Sequence, residues 1–183
     1  GNYAFSNITT LTSVTIPSSV TSIGTNAFEN SALTSVTIPD TVTSIGVDAF
    51  KNSALTSVTI PDTVTSIGVD AFQNCTNLTE INYEKIKYTI GSGVTSASAI
   101  NTSITGSITI PEHVPGTTID VTSIGDNAFQ DSGLTSISFP SSVTSIGTSA
   151  FQYSELTSIS FPSSVTSIGD NAFHACNGLT SVI

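Results

Sequence analysis

With 183 residues, 38% of them apolar, the chain can bury a core, yet it has no apolar run of 18 residues and so predicts no membrane-spanning helix. Only 9% of residues are charged, the formal net charge is −10, and the three basic residues are all lysines. So acidic a chain repels phosphate backbones and anionic lipid surfaces, which removes nucleic acid and membrane from the expected partners.

Gly1-Asn-Tyr-Ala-Phe5 matches the middle of a phrase read in full from Leu33 to Phe50: Leu-Thr-Ser-Val-Thr-Ile-Pro-Asp-Thr-Val-Thr-Ser-Ile-Gly-Val-Asp-Ala-Phe. Near copies start at Leu11, Leu55, Leu134 and Leu156; Leu11, Leu33 and Leu55 are 22 residues apart, as are Leu134 and Leu156. A fixed period of this size predicts a solenoid, one coil per copy, each stacked on its neighbour. The last stretch, Leu179-Thr-Ser-Val-Ile183, stops inside the opening strand of another copy, so a fragment, a processed product or the ordered part of something longer is expected.

Within one copy, Val36 and Ile38 alternate with Ser35 and Thr37, the period of two of a half-buried strand. Pro39 turns the chain out of that strand, and Val42-Thr-Ser-Ile45 supplies a second short extended piece. At Gly46 the backbone is expected to need an angle that a side chain resists. Asn26, Asp48, Asp70, Asn127, Ser149 and Asn171, each preceding an Ala-Phe pair, are residue types that cap helices, so each coil is predicted to close in a short helical turn. Stacking would place Phe28, Phe50 and Phe72 in one apolar column and Phe129, Phe151 and Phe173 in another. The fold expected is a β-rich solenoid of leucine-rich repeats with a parallel strand ladder and coils of about 22 residues.

The copies fall into two arrays, residues 1–83 and 107–183, around an irregular β insert at 84–106, read as one continuous solenoid. Tyr88-Thr-Ile90, Gly91-Ser-Gly93 and Val94 read as a hairpin or an added strand. The loop Glu112–Asp120 replaces the two residues found at that point in other copies. Insert and loop together hold two lysines, Tyr88 and His113, with Tyr83 just before them; a spacer that brings the arrays into register is favoured over a functional role.

The phrase Leu-Thr-Ser-Val-Thr-Ile-Pro-x-x-Val-Thr-Ser-Ile-Gly-x-x-Ala-Phe resembles the BspA-like, or Treponema-type, leucine-rich repeat over about residues 1–83 and 105–183. The Ile-Pro, Ile-Gly and Ala-Phe pairs recur in register, which makes the resemblance specific. It implies a secreted or cell-surface protein linked to adhesion.

No catalytic constellation is evident, and no enzyme, cofactor or metal site is expected. His113 has only its neighbour Glu112, and His174 with Cys176 has no second cluster to complete a metal set. Asp40 with Asp62 and Asp48 with Asp70 stand at equivalent places, but they read as turn and cap residues rather than a calcium site. Cys75 and Cys176, several coils apart, are expected to be buried free thiols. Asn7, Asn74, Asn77 and Asn101 begin Asn-x-Ser/Thr triplets, which are glycosylation sites only in a secreted eukaryotic protein.

Two functions follow as expectations. The first is an extracellular or cell-surface binding module that meets a protein or glycan ligand with its strand face: Ser13, Thr15, Ser35, Thr37, Ser57, Thr59, Ser136, Ser138, Ser158 and Ser160. Many weak hydroxyl contacts would act there through avidity. The alternative is a structural protein that assembles head-to-tail into an extracellular filament through uncapped coil ends.

Overall fold

Alternating Val and Ile with Ser and Thr, interrupted by Pro and Gly, leaves room only for very short strands, and each must pair with its copy one repeat away. The computed structural model of the protein describes residues 1–91, 95–99 and 103–183. These fall into two units, Gly1–Glu84 with His113–Ile119, and Lys85–Glu112 with Asp120–Ile183.

The strands of the first unit are β1 (Ser22–Ile23), β2 (Ser44–Ile45), β3 (Ser57–Thr59), β4 (Ser66–Ile67) and β5 (Glu80–Tyr83). β1, β2 and β4 form a parallel ladder, with Ser22 opposite Ser44 and Ser44 opposite Ser66. β3 pairs in parallel with β5, Ser57 opposite Glu80. Leu33, Ile38, Val42, Ile45 and Phe50 of one coil are buried beside Leu55, Val58, Ile60, Val64 and Phe72 of the next. Val42 N–H donates to Pro39 O at 3.0 Å and Val64 N–H to Pro61 O at 2.9 Å, closing the turn that separates the two extended pieces of each coil. The rings of Phe5, Phe28, Phe50 and Phe72 stack in sequence, with centroids 5.3, 5.3 and 5.4 Å apart.

The segments around Ala-Phe are not helical: the described residues contain no helix. Asn26, Asp48, Asp70, Asn127, Ser149 and Asn171 adopt left-handed φ values of 53 to 58°. A second left-handed residue follows four places later in every case: Asn30, Asn52, Asn74, Asp131, Tyr153 and Ala175. Asn and Asp tolerate this region better than other side chains, so the capping types serve here as αL residues. The result is a chain of tight turns. Ala49 N–H donates to Gly46 O at 3.3 Å and Ser53 N–H to Phe50 O at 3.1 Å, while the intervening N–H groups of Asp48, Phe50 and Asn52 donate to Val69, Ala71 and Gln73 of the next coil.

Gly46 also has a reason other than the one expected. It does not adopt a positive φ. A Cβ there would lie 2.5 Å from Thr25 N and 2.6 Å from Gly24 C, so glycine is needed for two coils to approach closely. Gly68, Gly147 and Gly169 meet the preceding coil in the same way.

The second unit holds β6 (Ile86–Ile90), β7 (Thr95–Ala99), β8 (Thr105–Thr109), β9 (Ser123–Ile124), β10 (Gly133–Ser138), β11 (Ser145–Ile146), β12 (Ser158–Ile159), β13 (Ser167–Ile168) and β14 (Ser181–Val182). β6 and β7 form an antiparallel hairpin, Ile86 opposite Ala99 and Tyr88 opposite Ala97; residues 92–94 of its expected turn lie outside the described residues. β7 then pairs in parallel with β9, Ser96 opposite Ser123, and so starts the ladder β9, β11, β13. β8 does the same for the other strand column by pairing with β10, and β12 pairs with β14. Phe129, Phe151 and Phe173 stack as the expected second column, joined edge-on by Phe139 and Phe161.

Candidate functional site

The chemistry on offer is a surface of hydroxyls, and the structure sorts them into two kinds. Ser13, Thr15, Ser35, Thr37, Ser57, Thr59, Ser138, Ser158 and Ser160 are exposed, as the alternation predicts; Ser136 is half-buried and donates to Ser107 Oγ at 2.8 Å. Among the described residues, the hydroxyls of Ser13, Thr15, Ser35, Thr37 and Ser57 have no protein partner. In the first unit the row passes at β5 to Glu80 and Asn82, where the Asn82 amide donates to Glu80 Oε1 at 2.9 Å and reaches Thr59 Oγ1 at 3.5 Å. The face is therefore hydroxylic along the coils and acquires a carboxylate and an amide at β5.

The second kind of hydroxyl is structural. Thr43 Oγ1 donates to Thr21 O at 3.2 Å and Thr65 Oγ1 to Thr43 O at 3.4 Å, coil to coil. Thr144 and Thr166 repeat this in the second unit, donating to Thr122 O and Thr144 O at 3.2 Å. After each leucine, Thr56, Thr79, Thr157 and Thr180 do the same for the other strand column. Each such bond contributes on the order of 1 kcal/mol. A signal for this role stands in the sequence: the residue after the leucine and the residue after the second valine are Thr in every copy, while the outward positions vary. Asparagines form a further ladder, Asn52 Nδ2 donating to Asn30 Oδ1 and Asn30 Nδ2 to Asn7 Oδ1, both at 2.7 Å.

The remaining candidate residues do not converge. Asp40 and Asp62 are exposed, and Asp48 pairs with Lys51 of its own coil at 3.1 Å. Among the described residues, no three His, Cys, Asp or Glu side chains are grouped as metal ligands. His113 is exposed. His174 is exposed beside Tyr153, with its Nδ1 3.3 Å from Gln152 Nε2, whereas Cys176 is buried and turned inward. Both cysteines are free: Cys75 Sγ lies 3.2 Å from Ser53 Oγ and from Phe50 O, and Cys176 Sγ 3.3 Å from Ser154 Oγ. Burial pushes the Cys75 thiol up, away from the reactive thiolate. Asn7, Asn74 and Asn77 are exposed; Asn101 lies outside the described residues. Among those residues no helix is long and apolar enough to cross a membrane.

A family model of the BspA type leucine rich repeat region matches the sequence in six copies, over residues 1–115 and 96–183. The chain belongs to that family. BspA-type repeats of this chain align with a leucine rich cell surface protein from Faecalibacterium prausnitzii at 31% identity and a TM-score of 0.46, covering 98% of this chain and 55% of that one. A leucine-rich repeat protein from Bacteroides ovatus aligns at 27% identity and a TM-score of 0.48, covering 100% and 51%. One from Eubacterium ventriosum aligns at 27% and 0.40, covering 98% and 55%. The chain thus spans about half the length of the solved structures it matches. No curated protein matches it.

Proposed function

We propose that this BspA-type repeat chain is a non-enzymatic binding module of the cell surface or extracellular space, meeting a protein or glycan ligand with its strand face. The observation that carries the reading is the row of exposed Ser13, Thr15, Ser35, Thr37 and Ser57 hydroxyls, left without protein partners while the Thr43 and Thr65 hydroxyls are consumed between coils. Small hydroxyls at strand spacing on a stiff ladder suit many weak hydrogen bonds in register. The net charge of −10 favours a neutral or basic ligand over an anionic polymer. Membership of a family linked to surfaces and adhesion supports the location.

The test is binding to immobilised matrix proteins and glycans by the wild type and by a variant carrying Ser35→Glu, Thr37→Lys, Ser57→Glu and Thr59→Lys. Loss of binding without loss of stability supports the face. Unchanged binding removes it.

A second reading, head-to-tail assembly into a filament, draws on the flank of the first complete coil. Ile16 and Val20 are only half-buried there, where their counterparts Ile38 and Val42 are buried; Val14, like its counterpart Val36, is half-buried. With Gly1, Phe5 and Ile23 they line an apolar cleft. Electron microscopy and sedimentation of the protein decide it: filaments support the reading, and a monomer at high concentration ends it.

A further inference from the structure

Tyr153 breaks a rule that the earlier coils keep. At its place in the closing turn the backbone is left-handed, and the copies before it put Asn7, Asn30, Asn52, Asn74 and Asp131 there, types that tolerate that region. Tyr153 takes the same conformation, with a φ of 60°, while carrying a bulky ring. That ring forgoes the coil-to-coil bond that joins Asn52 to Asn30 at the equivalent place. It is 51% exposed, the one exposed aromatic of the second unit among the described residues. Coils of this chain lie on both sides of it: Tyr153 N–H donates to His174 O at 3.0 Å, and Gln152 O accepts from Asp131 N–H at 2.9 Å. Strained backbone that brings a side chain no burial is the mark of a residue kept for what it meets outside the fold.

The groups beside the ring are set for hydrogen bonding. Gln130 Nε2 donates to Gln152 Oε1 at 3.2 Å, which turns the Gln152 amide nitrogen toward His174, 3.3 Å from Nδ1. An amide NH2 only donates, so Nδ1 accepts and the neutral imidazole carries its proton on Nε2. The His174 ring stands perpendicular to that of Tyr153, 84° between planes and 5.8 Å between centroids, and covers at most one of its faces. His174 is exposed, as is Asp131, which holds the Tyr153 position one coil earlier. The coil after places only the methyl group of Ala175 there.

We propose that Tyr153, with His174 and Asp131, is a stacking site for a neutral sugar unit of a glycan. The C–H groups on one face of a pyranose carry slight positive charge and pack against the negative face of an aromatic ring. The hydroxyls at the sugar's edge then meet the His174 Nε2–H as donor and the Asp131 carboxylate as acceptor. A lone ring among polar side chains suits a sugar better than a protein, whose interfaces are built on clusters of aromatic and apolar anchors. The site lies on the closing turns, apart from the strand face, and does not depend on that face binding anything.

The test uses the full chain and a panel of soluble neutral oligosaccharides of glucose, galactose and mannose at millimolar concentration. NMR titration follows the ring signals of Tyr153 and His174, and at least one sugar is expected to shift both. Tyr153→Asn, which restores the residue of the earlier coils, should weaken that binding about tenfold or more without lowering the urea midpoint. Tyr153→Phe keeps the ring and should bind within about threefold of the wild type. The variant with Ser35→Glu, Thr37→Lys, Ser57→Glu and Thr59→Lys should bind the sugar as the wild type does. No shift with any sugar of the panel, or unchanged binding by Tyr153→Asn, overturns the site. Sugar binding lost only in the strand-face variant moves the glycan to that face and overturns it too. If matrix proteins but no sugars depend on Tyr153, the ring is a protein contact and the glycan assignment fails.

Discussion

Phe50 stacks on Phe72 with ring centroids 5.4 Å apart and planes 3° from parallel, and both rings are buried. Phe50 also touches its other neighbour, Phe28, at 5.3 Å, so it is the middle of a stack rather than its end. Truncating a buried Phe costs about 3–5 kcal/mol, and a coil has only its two neighbours with which to share the loss. Phe50→Ala is therefore expected to lower the stability of the first array by that amount, and exposed Thr37→Ala by less than about 0.5 kcal/mol. Urea unfolding of the two variants checks this; equal small losses would refute the inward register.

Gly46→Ala and Gly125→Ala form a second pair. The added methyl at 46 would meet backbone at 2.5 Å, whereas at 125 the nearest atom is Ser96 Oγ at 3.7 Å. Overpacking costs roughly 1–3 kcal/mol and more against unyielding backbone, so Gly46→Ala should fall at or above that range. Gly125→Ala should be neutral or slightly stabilising, since it restricts the unfolded chain. Thermal unfolding of the pair separates close approach from glycine loss as such.

Asn52 serves through its backbone and its side chain at once. Its φ is 57°, and its amide donates to Asn30 Oδ1 at 2.7 Å. Asn52→Gly relieves the left-handed angle and loses only the ladder bond, whereas Asn52→Ala loses the bond and incurs a left-handed penalty of about 1–2 kcal/mol. The expected order of stability is wild type, then Gly, then Ala. An Ala variant as stable as the Gly variant would show that the angle relaxes.

Tyr83 should give the unfolding curve an alkaline limb. Burial first, then the Glu84 carboxylate and Asp62, push its phenol up to about 12, and its hydroxyl donates to Val64 O at 3.1 Å. An unfolded tyrosine titrates near ~10, so above that pH the folded state keeps a proton that the unfolded state releases. This contribution is fully present below about 10 and is lost as pH rises through 12. Tyr83→Phe should cost about 1 kcal/mol at neutral pH through the lost hydrogen bond and should flatten the decline over that alkaline window. Urea midpoints measured across the window test it, and an equally steep decline in Tyr83→Phe would assign the limb to other groups.

The strand alternation, the proline turns and both phenylalanine columns were legible because each is a local pattern repeated at a constant interval. The closing turns were misread because Asn and Asp favour helix caps and left-handed backbone alike, and Asn26 or Asp48 taken singly does not discriminate between them. The distinguishing sign was their recurrence four residues on, at Asn30 and Asn52, which a single cap does not produce. Gly46 was recognised as necessary but for the wrong reason, since a contact with Thr25 one coil away leaves no mark beside it in sequence. Gly116, whose carbonyl accepts the Phe72 N–H, was hidden more thoroughly: that partner is more than forty residues distant and no other copy has an equivalent. On the candidate face, the outward positions followed from alternation; the division of labour between Thr43 and Thr37 depends on which carbonyl each hydroxyl can reach.

The backbone bonds across one coil junction point both ways. The N–H groups of Asp48, Phe50 and Asn52 are directed toward the later coil, while those of Thr56, Thr65 and Gly68, in the later coil, are directed back to Thr34, Thr43 and Ile45. Peptide dipoles aligned head to tail build up a field in an α-helix; here the two sets oppose one another across the junction. Adding coils lengthens such an array without charging its ends. The charge of these repeats consequently comes from their side chains, thirteen Asp and Glu against three lysines, and lengthening the array calls for no basic residues to offset a growing backbone dipole.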